Sequence, residues 1–476
     1  MLFTTLDFFI FLPVAVVLFH VLPARMRLPW LMLASLGYYA SFGIENLGYL
    51  GAVAVIALLA GRHLLDAGAA RRRLAFWAGT LGILALMGLL KYYDAIVEGI
   101  AWLPGIGLTA PAGFSFYAFT AIALLADRYR SPAETRATAG QDIVYLAWFP
   151  KILAGPIERV APFTAALGRR STLTPVMVVA GSQLILWGLF KKVVVADNLS
   201  PFVDRAYAIP AYAVPVELII ATYFFAFQIY CDFSGYTDIA RGSSRLFGIK
   251  LSENFRRAYF AQSVGEFWSR RWHISLASWF RDYLYYPIVG GREHALWMYL
   301  GVLVVFIASG IWHAGLGYGI GWGFVAWGLL NGLYLVFERA LSPLRKRLKA
   351  RLRGTILGRI VGVGAALLVF HLVLISWVFF RAGTIGDSLT ILRRIWAALP
   401  DLPRLLMNYP FTTEHKFLAG LIVVLLVIEL AQEMPALSQR VAALPRAVHW
   451  AGWYALLFAV IGLGAWQAEV FVYMQF

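Results

Sequence analysis

Apolar residues come in long blocks along this chain, near 4–24, 28–43, 46–60, 73–92, 111–126, 174–196, 214–232, 295–311, 317–337, 355–380, 416–431 and 448–468. A bilayer core about 30 Å thick takes roughly 20 residues of helix, so the blocks predict a membrane protein. The fold class expected is all-α: a polytopic bundle of about 11–13 spans with re-entrant or interfacial helices between them. Between 140 and 170, "YLAWFPKILAGPIERVAPF" is apolar but interrupted by Pro150, Pro156 and Pro162. Proline removes a backbone donor and breaks helices, so a re-entrant or interfacial segment is predicted there, with its backbone satisfied by protein or water. No fixed-period repeat or low-complexity tail divides the chain, and residues 1–476 are read as one membrane domain.

Polar connections set the orientation. Arg25 and Arg27, then Arg62 with Arg71, Arg72 and Arg73, then Arg128, Arg130 and Arg136 place positive charge in alternate loops. The loops between them hold Glu45, and Asp94 and Glu98 beside Lys91. The positive-inside rule then runs the first helix from outside to inside and puts "ERALSPLRKRLKARLRG" at 338–354 in the cytoplasm. The first block carries Asp7 and neither Lys nor Arg through residue 24, so it is expected to remain as a helix and not to be cleaved as a signal peptide. The spans at 416–431 and 448–468 cannot be oriented this way, because both flanking connections are basic.

Composition narrows the function classes. Apolar residues make up 61% and charged residues 14%, which places the chain in a bilayer, and topology explains the net charge of +16 without nucleic acid. A single cysteine, Cys231, excludes an intramolecular disulfide and a multi-cysteine zinc site.

Two histidines stand out against the apolar background. His273 lies in "FWSRRWHISLASWFRDYLYYPIVGG" at 267–291. On a 3.6-residue helix Trp268, Trp272, Trp279, Tyr283 and Tyr286 share one stripe while Arg270 and Arg281 point away, so an amphipathic interfacial helix is predicted. His273 borders the aromatic stripe, where a polar group needs a partner or a cavity. His313 lies in "IASGIWHAGLGYGIGWGFVAWG", with glycine at 310, 315, 317, 319, 321 and 323 and the nearest acidic residues at Glu293 and Glu338. Such glycine density admits close backbone approach. Desolvation favours neutral imidazole, the form a general base requires to take a proton from a hydroxyl attacking a thioester. No G-x-S-x-G occurs, so the nucleophile is expected on the substrate. The bland alternative is an imidazole bonded to a neighbouring helix; a metal site on the two histidines has no recognised ligand spacing, and none is expected.

Together with "FPKILAGPIER", "IYCDFSGYTDIARGSSRLFGIKLSENF" and "SGIWHAG", the 267–291 stretch resembles the membrane-bound O-acyltransferase family, in particular its bacterial alginate O-acetyltransferase branch. The similarity runs from "LFTTLDFFIFLP" to "WVFFRAGTIGDSLTIL". It implies helices around a tunnel, acetyl-CoA as cytoplasmic donor with no permanently bound cofactor, and residence in the bacterial inner membrane. It implies His313 as catalytic base and His273 as a supporting group. No hydrolase-like domain follows the last apolar block, so a separate periplasmic hydrolase-like acetyltransferase is the expected partner.

Weaker candidates complete the set. Asp232, Ser234, Tyr236 and Asp238, with Trp272 and Trp312 beside the histidines, are expected to line the tunnel; a polar helix end is the alternative for the first four. Lys151, Arg159, Arg256, Arg257, Arg270 and Arg271 are candidates for the CoA phosphates, which guanidinium forks suit, although topology alone also accounts for them. Competing functions are peptidoglycan or teichoic-acid acylation by the same chemistry, a transporter, and a scaffold for polysaccharide export. Transporters commonly show internal symmetry, and none is visible here.

Overall fold

Each of the twelve apolar blocks places a helix in the computed structural model, which describes residues 1–66, 68–97, 103–169, 171–292, 294–314 and 321–466. Glu98, Glu293, Gly315, Gly317 and Gly319 lie outside the described residues. No strand occurs among the described residues.

Seven of the described helices are long and apolar enough to cross a membrane: Asn46–Asp66, Ala69–Lys91, Pro175–Ala208, Pro215–Leu246, Ala295–His313, Ile356–Arg381 and Arg446–Leu463. Two more continue through sharp bends: Trp322–Ala340 turns by 58° into Ser342–Arg351, and Thr413–Glu433 by 96° into Pro435–Ala442. Pro435 explains the larger bend, since it disfavours helical geometry at Met434, which is extended at φ −90°, ψ 110°. Leu6–Val21, Ala24–Ala40 and Phe114–Arg130 reach only about 24–26 Å at 1.5 Å per residue. Among the described residues the expected 11–13 spans thus resolve into seven full-length helices, two bent ones and three short ones.

The chain forms two compact units. The first contains Met1–Leu189 and Phe233–Glu253. Its helix Ala139–Ala147 starts with Thr138, whose hydroxyl accepts from the Gln141 amide while the Gln141 side chain returns to the Thr138 amide, a capping box. The proline-broken segment then follows, and every residue from Val144 to Glu158 is buried. The irregular backbone is therefore enclosed by protein, not laid on an interface; Tyr145, for example, donates to the Glu158 carbonyl at 2.7 Å. A buried Arg128–Asp142 pair at 2.7 Å sits nearby. Pro175–Leu189 packs on 233–246 through glycines seven apart on each side: a Cβ on Gly188 would lie 2.6 Å from the Gly235 carbonyl oxygen, and one on Gly242 2.6 Å from that of Gly181. Only hydrogen at these positions permits the approach.

The second unit contains Phe190–Asp232 and Asn254–Ala465 and holds both histidines. In it Ala295–His313 and Trp322–Ala340 pack backbone to backbone: a Cβ on Gly310 would lie 2.5 Å from the Phe324 carbonyl oxygen, and one on Gly328 2.3 Å from that of Phe306. Gly323 meets Ile356–Arg381 in the same way, at the Phe379 carbonyl oxygen. The glycines described around His313 thus fix three helices close together.

Candidate active site

The 267–291 stretch is not one helix. A π-helical turn over Phe267–Arg271 ends at Trp272, which is extended (φ −115°, ψ 123°), and His273 is left-handed (φ 43°, ψ 54°) before helix resumes at Ile274–Phe280. A left-handed non-glycine residue costs about 1–2 kcal/mol, so something must hold it. Asn254, fully buried, does so: its carbonyl accepts from the Ile274 amide at 2.9 Å, and its Oδ1 accepts from the Ser275 amide at 3.1 Å and hydroxyl at 2.9 Å. The Arg256 amide donates to the Arg271 carbonyl at 2.9 Å. These tertiary bonds replace the helical ladder that periodicity predicts. The expected aromatic stripe breaks accordingly: Trp272 and Trp279 are buried, whereas Tyr286 is 56% exposed.

His273 is buried, its ring stacked on Phe255 with centroids 6.1 Å apart. Burial pushes its pKa down to about 3, so the ring is neutral at cellular pH.

His313 closes the Ala295–His313 helix and is also buried. Rings surround it: Trp312 at 4.4 Å between centroids, Phe380 at 5.1 Å, Trp327 at 5.4 Å and Phe324 at 6.1 Å. From Trp327 the aromatic path continues to Trp377, stacked at 6.1 Å, and from Trp377 to Trp272 at 4.9 Å, the immediate neighbour of His273. Trp268 joins Trp327 and Trp272 and donates its indole N–H to Asn331 at 3.1 Å. The indole N–H groups of Trp327 and Trp377 are buried with no hydrogen-bond partner among the described residues. Both histidines therefore border one aromatic cluster within the second unit, with two donors in it unmet.

Asp232 is buried and paired with Lys192 at 2.6 Å; Lys192 also binds Asp197 at 2.7 Å. Lys191 and Lys192 sit on a π-helical turn, Phe190–Ala196, and are buried too. Tyr230 donates to the buried Glu429 at 2.5 Å. Lys192 is thus paired with two carboxylates and Glu429 is met by a hydroxyl donor, as low dielectric demands. In the first unit Ser234 is fully buried, Tyr236 stacks on Phe3 at 4.5 Å, and Asp238 pairs with Arg241 at 2.8 Å.

The six cations divide by environment. Lys151 is buried over the rings of Tyr145 (4.7 Å) and Phe163 (5.5 Å), and burial lowers its pKa to about 7. Arg159 is half-buried in the same unit. Arg257 pairs with Glu433 at 2.6 Å, and Arg271 with Glu433 at 2.7 Å and Glu266 at 2.6 Å. Arg256 and Arg270 are exposed. Sequence reasoning missed Asn254 and Glu433, whose partners lie 21 and 162 residues away, and missed the buried Lys192 among the positive charges.

A family model described as the membrane-bound O-acyltransferase family matches residues 141–379, which contain both histidines and most of the aromatic cluster. The probable alginate O-acetylase of Azotobacter vinelandii is 32% identical over 403 residues, covering 82% of this chain and 76% of that protein. The chain belongs to the membrane-bound O-acyltransferase family. Within that family it is also similar to the peptidoglycan O-acetyltransferase of Helicobacter pylori, at 30% identity over 82% of this chain and 78% of that protein. The teichoic acid D-alanyltransferase of Bacillus subtilis is 23% identical over 52% of this chain and 63% of that protein. The protein is accordingly an acyltransferase, and the transporter and scaffold readings fall away.

Proposed function

We propose that the protein transfers acetyl groups from cytoplasmic acetyl-CoA, across the bacterial inner membrane, to an extracytoplasmic acceptor or partner transferase that O-acetylates an exported polysaccharide such as alginate. The observation that carries the reading is His313 enclosed by Trp312, Phe324, Trp327 and Phe380 in a chain similar to alginate O-acetylases. Neutral imidazole takes the proton from the acceptor hydroxyl as its oxygen attacks the thioester carbonyl carbon. The carbon–sulfur bond then breaks, and the CoA thiolate leaves and takes up a proton. The indole N–H groups of Trp327 and Trp377 are the donors assigned to the developing oxyanion, because buried donors held ready for that charge contribute most in a dry site. His273 supports the site from the other end of the ring path.

For the CoA phosphates the exposed Arg256 and Arg270 are assigned first; Arg257 and Arg271, candidates from the sequence, are given instead to the ion pairs with Glu433 and Glu266. Lys151 and Arg159, and the tunnel-lining roles of Asp232, Ser234, Tyr236, Asp238, Trp272 and Trp312, remain part of the proposal. A second reading, acetylation of peptidoglycan by the same chemistry, is favoured by the similarity to the Helicobacter pylori protein.

The test is the acetyl content of exported polysaccharide and of peptidoglycan in cells carrying wild-type protein, His313→Ala or His273→Ala at equal membrane levels. Acetylation of one polymer is expected to vanish with His313→Ala, and the polymer affected identifies the acceptor class. Unchanged acetylation of both would remove His313 from the mechanism.

A further inference from the structure

We infer that Glu433 is a positioning residue for acyl transfer: its carboxylate clamps the turn that carries His273. This rests on the role given to His273 above. Glu433 ends the Thr413–Glu433 helix, at the bend before Pro435. Its Oε2 accepts from Arg257 Nε at 2.6 Å and Arg271 Nη1 at 3.1 Å, and its Oε1 accepts from Arg271 Nη2 at 2.7 Å. The two guanidinium groups come from the two segments that form the His273 cradle, residues 254–257 and 271–275.

Strain marks the same place. Among the described residues, Arg257 and His273 are the two non-glycine residues with positive φ, at 42° and 43°. Arg257 is itself held by Glu433, and His273 lies two residues after Arg271, which Glu433 also holds. Arg271 further donates to the Arg257 carbonyl at 3.2 Å and pairs with Glu266 at 2.6 Å, closing a network across both segments. Backbone strain persists only where surroundings over-determine it, and a guanidinium–carboxylate fork fixes direction as well as distance. Asn254 fixes the cradle from the His273 side; Glu433 fixes it from outside. A clamp of this kind sets where the His273 ring stands relative to Trp272 and the ring path to His313. Glu433 lies beyond the segment 141–379 that the family model matches, while Arg257 and Arg271 lie within it.

The experiment uses everted membrane vesicles of the producing cell, with CoA release from acetyl-CoA as the rate. Amide hydrogen exchange over 271–275 is measured separately on the purified full-length chain in nanodiscs. The variants are Glu433→Gln, Glu433→Asp, His273→Ala and the double Glu433→Gln/His273→Ala, at matched protein levels. Glu433→Gln is expected to lower kcat on the order of 100-fold, the cost of misplacing a group by about 1 Å, with KM for acetyl-CoA unchanged. Exchange at 272–274 should quicken, Glu433→Asp should recover about tenfold of the loss by keeping the charge, and the double variant should be no slower than His273→Ala. The inference is overturned if Glu433→Gln keeps wild-type kcat, if the two losses multiply, or if KM rises in step with the loss. Wild-type turnover in His273→Ala would overturn it from the other side, by removing the role of His273, while faster exchange in Glu433→Gln would then show the clamp without the chemistry.

Discussion

At the scale of single residues, burial decides the charge of His273. The folded-state pKa of about 3 lies below the value near 6.5 of a solvated imidazole, so below about pH 6.5 the unfolded chain takes up a proton that the folded chain refuses. This contribution to stability is whole above pH 6.5 and is lost as pH falls from there toward 3, by up to about 1.4 kcal/mol per pH unit. The melting temperature of the purified protein is therefore expected to fall more steeply between about pH 7 and about pH 5 in wild type than in His273→Gln. Comparing the two slopes separates the histidine from Asp142 and Glu158, carboxyl groups whose pKa burial raises and which act with the opposite sign in both proteins. Equal slopes would mean that the ring titrates in the folded state. His273 could be singled out from sequence because a polar ring bordering an aromatic stripe is costly; Asn254 and Glu433 could not, because nothing local distinguishes a polar residue whose partners are far along the chain.

At the scale of elements, hydropathy over roughly 20 residues was enough to place every block as a helix, since in a bilayer backbone groups must be satisfied within the segment. Periodicity failed where tertiary bonds outcompete local ones: Asn254 takes the amides of Ile274 and Ser275, and the predicted helix breaks at Trp272–His273. Of the glycines around His313, Gly310 and Gly323 signalled close packing correctly, although not which backbone each would face, while Gly315, Gly317 and Gly319 lie outside the described residues. Their effect is measurable. Gly328→Ala places a Cβ 2.3 Å from the Phe306 carbonyl oxygen, so Ala295–His313 and Trp322–Ala340 must separate. A loss of about 1–3 kcal/mol in thermal unfolding is expected, with reduced acyl transfer because Trp327 and His313 ride on the two helices. Gly364→Ala and Gly420→Ala, on helices with open space at the same atom, should be neutral or slightly stabilising. Equal effects at all three positions would refute the close-packing account.

At the scale of the whole molecule, the donor and acceptor sides proposed above make orientation part of the proposed mechanism. The basic residues between Arg339 and Arg353 are exposed, on Ser342–Arg351 and its flanks, and helix bending by 58° carries that segment off the axis of Trp322–Ala340. Moving this much positive charge across a membrane is disfavoured, so the segment is expected on the cytoplasmic side, where anionic headgroups would add attraction. Glu45, exposed in the connection between Ala24–Ala40 and Asn46–Asp66, belongs to a loop without Lys or Arg and is expected outside. The only native thiol, Cys231, is fully buried, so the natural chain should not react with an impermeant maleimide and single cysteines can be introduced against a silent background. Glu45→Cys should label in intact cells, and Lys346→Cys only once the membrane is opened. Labelling of both from the same side would break the alternation of charged loops on which the orientation depends, and the reverse pattern would place the basic segment with the acceptor. The reverse pattern would also contradict the proposed direction of transfer, from a cytoplasmic donor to an acceptor outside.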